Sequence, residues 1–212
     1  MITAKDHNPS ILHPEFLTKH AIIDPSWGWK VTGRPISTPA LSRVHFDSDF
    51  AIICDPNRLQ FIDNNYPLTS QSPHLFEVAT RYAQTLPHTP YTAVGVNLSA
   101  LLPHNDPGAA ITHKYISDGP WLQEPSTPTA GGLRLVYKLD DWKLRVSIDA
   151  GEFERPGDQS PTQSIIIQGN FHQDCERENS AEDIVNIIHE GVECWAMFDN
   201  LVQILCKNGG NT

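Results

Sequence analysis

The feature that most restricts how this chain can fold is a two-residue alternation running through an acidic turn. Leu133, Leu135, Tyr137 and Leu139 alternate with Arg134 and Lys138; after Asp140-Asp141, the residues Trp142, Leu144, Val146 and Ile148 alternate with Lys143, Arg145 and Asp149. Successive strand side chains point to opposite faces. The two runs therefore form an antiparallel hairpin with one apolar face, closed by a short polar turn.

The same period recurs upstream. Val44, Phe46, Phe50, Ile52 and Cys54 share one face, interrupted by Ser48, and the turn residues Asp55-Pro56-Asn57 lead to Leu59 and Phe61, a second hairpin pattern. Trp27, Trp29 and Val31 alternate with Gly28 and Lys30 and read as a further strand, as do Thr92 to Leu98 and Ile165 to Phe171.

Two segments switch to the helical period. Ser72-Pro73 is a cap followed by a favoured first helical residue, and Leu75, Ala79, Tyr82 and Leu86 fall on one stripe that Pro87 ends. The strongest helix comes last. Ser180 with Asp183 resembles a capping box, Ile184 to Leu205 recur at steps of four and three, and Asn208-Gly209-Gly210 supply the stop. A stripe this broad has to cover a sheet or another subunit. Strands arriving in runs rather than alternating with helices predict an α+β fold, an antiparallel sheet with helices on one face and a long C-terminal helix. The expectation is one domain over residues 1–212, with an irregular N-terminal segment 1–26. A long loop is expected at 101–132, where five prolines fall at 103, 107, 120, 125 and 128.

Composition narrows the partners. A net charge of −10 repels phosphate backbones and anionic headgroups, and no Lys and Arg cluster offsets it locally. Nucleic acid and membrane surfaces are therefore not expected partners. Cys54, Cys175, Cys194 and Cys206 form no C-x-x-C pair and suit a reducing compartment, and no apolar run resembles a leader or a membrane span, so the expected location is the cytoplasm.

The helix ending in Leu86-Pro87-His88-Thr89-Pro90, followed by the strand Tyr91-Thr92-Ala93-Val94-Gly95-Val96-Asn97, resembles uncharacterised bacterial proteins related to the export chaperone SecB. The wording covers about residues 86 to 98 and the element order about 44 to 205. The resemblance implies a helix-backed antiparallel sheet, assembly into a homo-oligomer, and binding of a polypeptide client or partner protein. The extra N-terminal segment, the 101–132 insertion and the single long final helix depart from SecB, and no functional residue carries over. Within the matched stretch, Gly95 marks a bulge or close backbone approach, and Asn97 is placed to hydrogen-bond a neighbouring loop.

Three groupings of ionisable residues are candidates for chemistry. His45, Asp47 and Asp49 fall at i, i+2 and i+4 and so share one strand face, at steps of roughly 6–7 Å that suit a solvated face better than one metal ion. His104, Asp106 and His113 lie in the expected loop, where a metal would have to gather them. His172, Asp174 and Cys175 follow a strand end, where a base and a thiol could pair, although the flanking acids would raise the thiol pKa. There is no G-x-S-x-G, G-x-G-x-x-G, P-loop or H-E-x-x-H pattern. Trp27, Trp29 and Trp121, in irregular or edge regions, are the candidate partner-binding residues. The leading expectation is a non-enzymatic, chaperone-like polypeptide-binding protein needing no cofactor. The alternatives are an antitoxin- or immunity-type partner protein and a metal-dependent hydrolase using the 101–132 loop.

Overall fold

The computed structural model describes residues 1–65, 73–117, 119, 128–154, 160–175 and 181–207. In chain order the elements are β1 (Ile2–Ala4), α1 (Pro14–Lys19), β2 (Val31–Ser37), β3 (Ser42–Phe46), β4 (Phe50–Cys54), β5 (Arg58–Asp63), α2 (Pro73–Thr85), β6 (Tyr91–Pro103), α3 (Pro107–Tyr115), β7 (Leu133–Lys138), β8 (Lys143–Phe153), β9 (Thr162–Asp174) and α4 (Ala181–Lys207), with single 3-10 turns at Pro9–Ile11 and Pro25–Trp27. The nine strands form one antiparallel sheet in the order β2-β3-β4-β5-β1-β6-β9-β8-β7. The expected α+β class and long terminal helix are present. The chain divides into two compact units, residues 1–96 with 172–196 and residues 97–171 with 197–212.

In the first unit the expected alternation becomes a buried layer. Val44, Phe46, Phe50, Ile52, Cys54, Leu59 and Phe61 are all buried. From α2, Val78, Ala79, Tyr82 and Ala83 join this core, and the Tyr82 ring meets Phe61 edge-on at 6.1 Å between centroids. The first turns of α4 bury Ile184, Ile187, Ile188 and Cys194.

The N-terminal segment corrects the expectation of an irregular 1–26. Its first residues add a strand, Ile2 pairing with Leu59 on one side and Val94 on the other. Leu12, Leu17, Ile22 and Ile23 are buried, and the Ser42 hydroxyl donates to the Leu12 carbonyl. The three residues of β1, Ile2, Thr3 and Ala4, are too few to show a period, and a six-residue helix is too short to show a stripe.

In the second unit β7 and β8 form the expected hairpin, Leu139 N–H donating to the Trp142 carbonyl at 2.9 Å. Leu144, Val146 and Ile148 are buried on one face. Gly169 of β9 is there because Phe198 of α4 lies directly over it. A Cβ would stand 2.6 Å from the Phe198 ring, closer than real contacts allow.

The expected 101–132 loop is corrected as well. β6 runs on to Pro103, and Pro107–Tyr115 is a helix, with Asp106 as its N-cap accepting from Ala109 N–H at 3.0 Å. Pro107 is one of the prolines that point to a loop, yet it sits at the first helical position, where its missing N–H costs nothing. The expected caps at Ser72 and Ser180 and the stop at 208–210 lie outside the described residues.

In the 86–98 stretch, Gly95 shows no register shift against β1. Its N–H and carbonyl both pair with Met1, and the register shift lies between Thr3 and Ala4 instead. Asn97 hydrogen-bonds Asn170 on β9, a strand and not a loop.

Candidate functional site

Trp27 and Trp29 do not lie on a strand. Pro25–Trp27 is a 3-10 turn, opened by the Asp24 carboxylate accepting from Ser26 N–H at 2.9 Å and closed by Gly28 at φ +70°, a backbone that favours glycine. This turn sets the Trp27 ring 4.9 Å from Trp29 and 4.3 Å from His74 at the start of α2. Trp29 in turn lies 5.0 Å from Phe50 and meets His74 edge-on at 5.3 Å.

Arg81 locks this cluster. Its guanidinium lies 5.3 Å over the Trp27 ring, donates to Asp24 at 3.0 Å and Glu77 at 2.6 Å, and donates to the Ala21 carbonyl at 2.8 Å. Hydrogen bonds from Ser26, then from Arg81, hold the Asp24 carboxyl down at about 2. Both tryptophans and His74 remain half-exposed, so the result is a fixed aromatic shelf with one side open to solvent. Trp121, the third aromatic singled out from the sequence, lies outside the described residues.

A shallow concavity of about 250 Å³ in the same unit is lined by Thr32, Gly33, His45, Phe46, Asp49, Phe50 and Asn64. It places His45 with Asp49 but leaves out Asp47, which corrects the reading of one strand face. β3 ends at Phe46 and β4 starts at Phe50, so Asp47, Ser48 and Asp49 form the connecting turn. Asp49 takes φ +56°, the left-handed position of a three-residue hairpin loop, and Asp47 is turned away to accept from Lys30 N–H at 2.9 Å. The apparent break at Ser48 was the signal of that turn.

His104, Asp106 and His113 are likewise occupied locally. His104 Nδ1 accepts from Asp106 N–H at 3.0 Å, Asp106 caps α3, and His113 is exposed in the last turn of that helix. Among the described residues, no group of three or more His, Cys, Asp or Glu side chains is placed to hold a metal ion. His172 and Asp174 approach to 3.1 Å. Burial, reinforced by Asp183 and Asp174, pushes the Cys175 thiol up to about 11, so it stays protonated at neutral pH.

Two features escaped sequence reasoning. His7 is 2% exposed, with Nδ1 3.3 Å from the Tyr82 hydroxyl and, among the described residues, no hydrogen-bond partner for Nε2. Burial lowers its pKa, outweighing the Ile2 carbonyl, Asp55 and Asp6. Nothing in its neighbours, Asp6 and Asn8, announces a buried position.

The other is a basic sheet face. Arg134 and Lys138 from β7 and Lys143 and Arg145 from β8 emerge together and exposed, around Val136. The absence of a local Lys and Arg cluster read along the sequence is thereby corrected, because pairing gathers residues that the sequence spaces apart. The signal was present in the R-x-V-x-K and K-x-R spacings on either side of the turn.

Compared with known proteins, the chain matches no family model, no curated protein and no solved structure. The class that fold and site define is an antiparallel α+β protein carrying a braced, half-exposed tryptophan shelf. Among the described residues, no helix is long and apolar enough to cross a membrane.

Proposed function

We propose that this chain is a non-catalytic, chaperone-like polypeptide-binding protein of SecB type, acting in the cytoplasm as a homo-oligomer and without a cofactor. The shelf of Trp27, Trp29 and His74 supports this reading. Large rings held by Arg81 and a capped turn lose little conformational freedom when they meet a partner, which is the economy that makes tryptophan a frequent binding anchor. The concavity beside Phe46 and Phe50 offers room for one side chain of a bound segment.

The test is suppression of light scattering as reduced insulin aggregates, comparing the wild type with a Trp27→Ala, Trp29→Ala double variant. Wild-type suppression that the double variant loses, with its circular dichroism unchanged, is the expected result. Equal behaviour of the two proteins, or inertness of the wild type toward insulin and two further clients, defeats the proposal. Light scattering on a sizing column tests assembly, and a monomer at micromolar concentration defeats that part.

A further inference from the structure

The outer edge of β7 joins two properties in the same three residues. The Leu139–Trp142 hydrogen bond fixes the phase of the β7–β8 ladder, because hydrogen-bonded and non-hydrogen-bonded pairs alternate along an antiparallel pair. Tyr137–Leu144, Leu135–Val146 and Leu133–Ile148 are then the bonded pairs. Lys138–Lys143, Val136–Arg145 and Arg134–Ser147 are the others, so the N–H and C=O groups of Arg134, Val136 and Lys138 point away from β8. β7 is last in the sheet order, and no described element pairs with that edge. The side chains of the same residues are exposed, Val136 at 64%. Among the described residues, Arg134, Lys138, Lys143 and Arg145 make no ion pair and no hydrogen bond through their side chains.

We infer that this edge accepts an acidic, extended polypeptide segment as an added strand, with carboxylates opposite Arg134 and Lys138 and an apolar residue opposite Val136. The chemistry favours this occupant over two others. A second copy pairing through β7 about Val136 would set Arg134 directly against Lys138 of its partner, and like charges opposite each other destabilise a sheet. A nucleic acid would answer the cations but leave the outward N–H and C=O groups unpaired. It would also have to approach a chain of net charge −10. An acidic strand answers both, since its alternate side chains repeat every ~6.6–7 Å, the spacing of Arg134, Val136 and Lys138 along β7. This surface is separate from the tryptophan shelf, and either can fail without the other.

The probe is a fluorescein-labelled peptide, Thr-Glu-Val-Ile-Thr-Glu-Thr, titrated by anisotropy at 50 and 500 mM NaCl. Saturable binding that weakens with salt is expected. In an Arg134→Glu, Lys138→Glu variant, binding falls at least about tenfold, as expected for two exposed charge pairs replaced by repulsions, and a peptide with Lys in place of Glu gains what the first one lost. In Val136→Pro, which removes one outward N–H, binding is also lost, while wild-type tryptophan fluorescence and circular dichroism confirm folding. Four outcomes overturn the inference. A peptide with its two glutamates adjacent binds as well as the alternating one; Val136→Pro binds like wild type; a single-stranded oligonucleotide outcompetes the peptide; or light scattering shows copies associating through β7 in a way that Val136→Pro abolishes.

Discussion

The sheet ends in two edges that solve the same physical problem in opposite ways. A terminal strand exposes unpaired N–H and C=O groups, and that invites unwanted pairing. β2 is broken by its own backbone. Its register against β3 shifts between Thr32 and Ile36, Gly33 takes φ +66°, and Pro35 lacks an N–H to offer. β7 keeps a regular ladder through all six residues, with no glycine, proline or register shift, and is defended by charge alone. A distorted edge refuses every partner, whereas a charged regular edge refuses some and admits others. Only the second is selective.

The largest expected effect tests the hydrogen-bond phase on which this contrast stands. Leu135→Pro removes an N–H that bonds β8 and leaves the Val146 carbonyl unpaired, a cost of roughly 1–3 kcal/mol, beyond that of a Leu135→Ala control. Val136→Pro removes an outward N–H and tolerates proline as edge strands do, so its urea midpoint stays near wild type. Equal losses for the two prolines refute the assigned phase.

On the other edge, Gly33→Val should cost about 1–2 kcal/mol through backbone strain alone, since a left-handed backbone disfavours a branched side chain and nothing lies within 4 Å of the added Cβ. A variant as stable as wild type would mean that the chain can abandon the bulge. It should then associate through a regularised β2, which sedimentation would reveal.

Much of this architecture was legible in the sequence because it is periodic. The 44–61 and 133–148 alternations, the Pro73 helix and the terminal helix all announce themselves by spacing. What could not be read depended on pairing or on single residues. Three residues of β1 have no period, Asp49 terminates a strand while looking like part of it, and Pro107 begins a helix while looking like part of a loop. Trp27 and Trp29 stand out as large rings in irregular or edge regions, but the brace of Arg81 on Asp24, Glu77 and Trp27 joins three separate segments. The basic face was hidden for the same reason, being assembled by a register that only the folded hairpin defines.

A further contrast lies inside the two units. The buried polar or charged residues of the first include His7, held neutral against Tyr82 and Tyr91 with Asp6 and Asp55 nearby, whereas the second buries Ser164. Because burial lowers the folded pKa of His7 below its unfolded 6.5, the unfolded chain binds the extra proton first as pH falls. Stability is therefore fully present above about 6.5 and declines on acidification until the folded pKa is passed, with a slope no steeper than about 1.4 kcal/mol per pH unit for one proton. Urea titrations at pH 7.5 and 5.5 check this, and His7→Phe should flatten the dependence. Amide exchange should locate the loosening in β1, β5 and α2 and leave β8 unchanged. An unaltered pH profile in His7→Phe removes His7 from the account.

The smallest effect probes whether the charge on β7 is retained at a cost. Lys138 stands directly opposite Lys143 in a non-hydrogen-bonded pair, where Cβ atoms are closest and like charges repel. Lys138→Glu turns that repulsion into an attraction and should stabilise the protein by a few tenths of a kcal/mol at 20 mM salt. The gain should vanish in 1 M NaCl, where the screening length falls to about 3 Å. On β2 the facing pair Thr32–His45 sets no two cations against each other, so Thr32→Glu relieves no like-charge repulsion and should show no comparable gain. If Lys138→Glu raises stability while weakening the acidic peptide, the edge gives up stability for recognition, as binding surfaces commonly do. If it leaves stability unchanged at low salt, the cations of β7 are not held against one another, and their clustering loses its value as a sign of a partner.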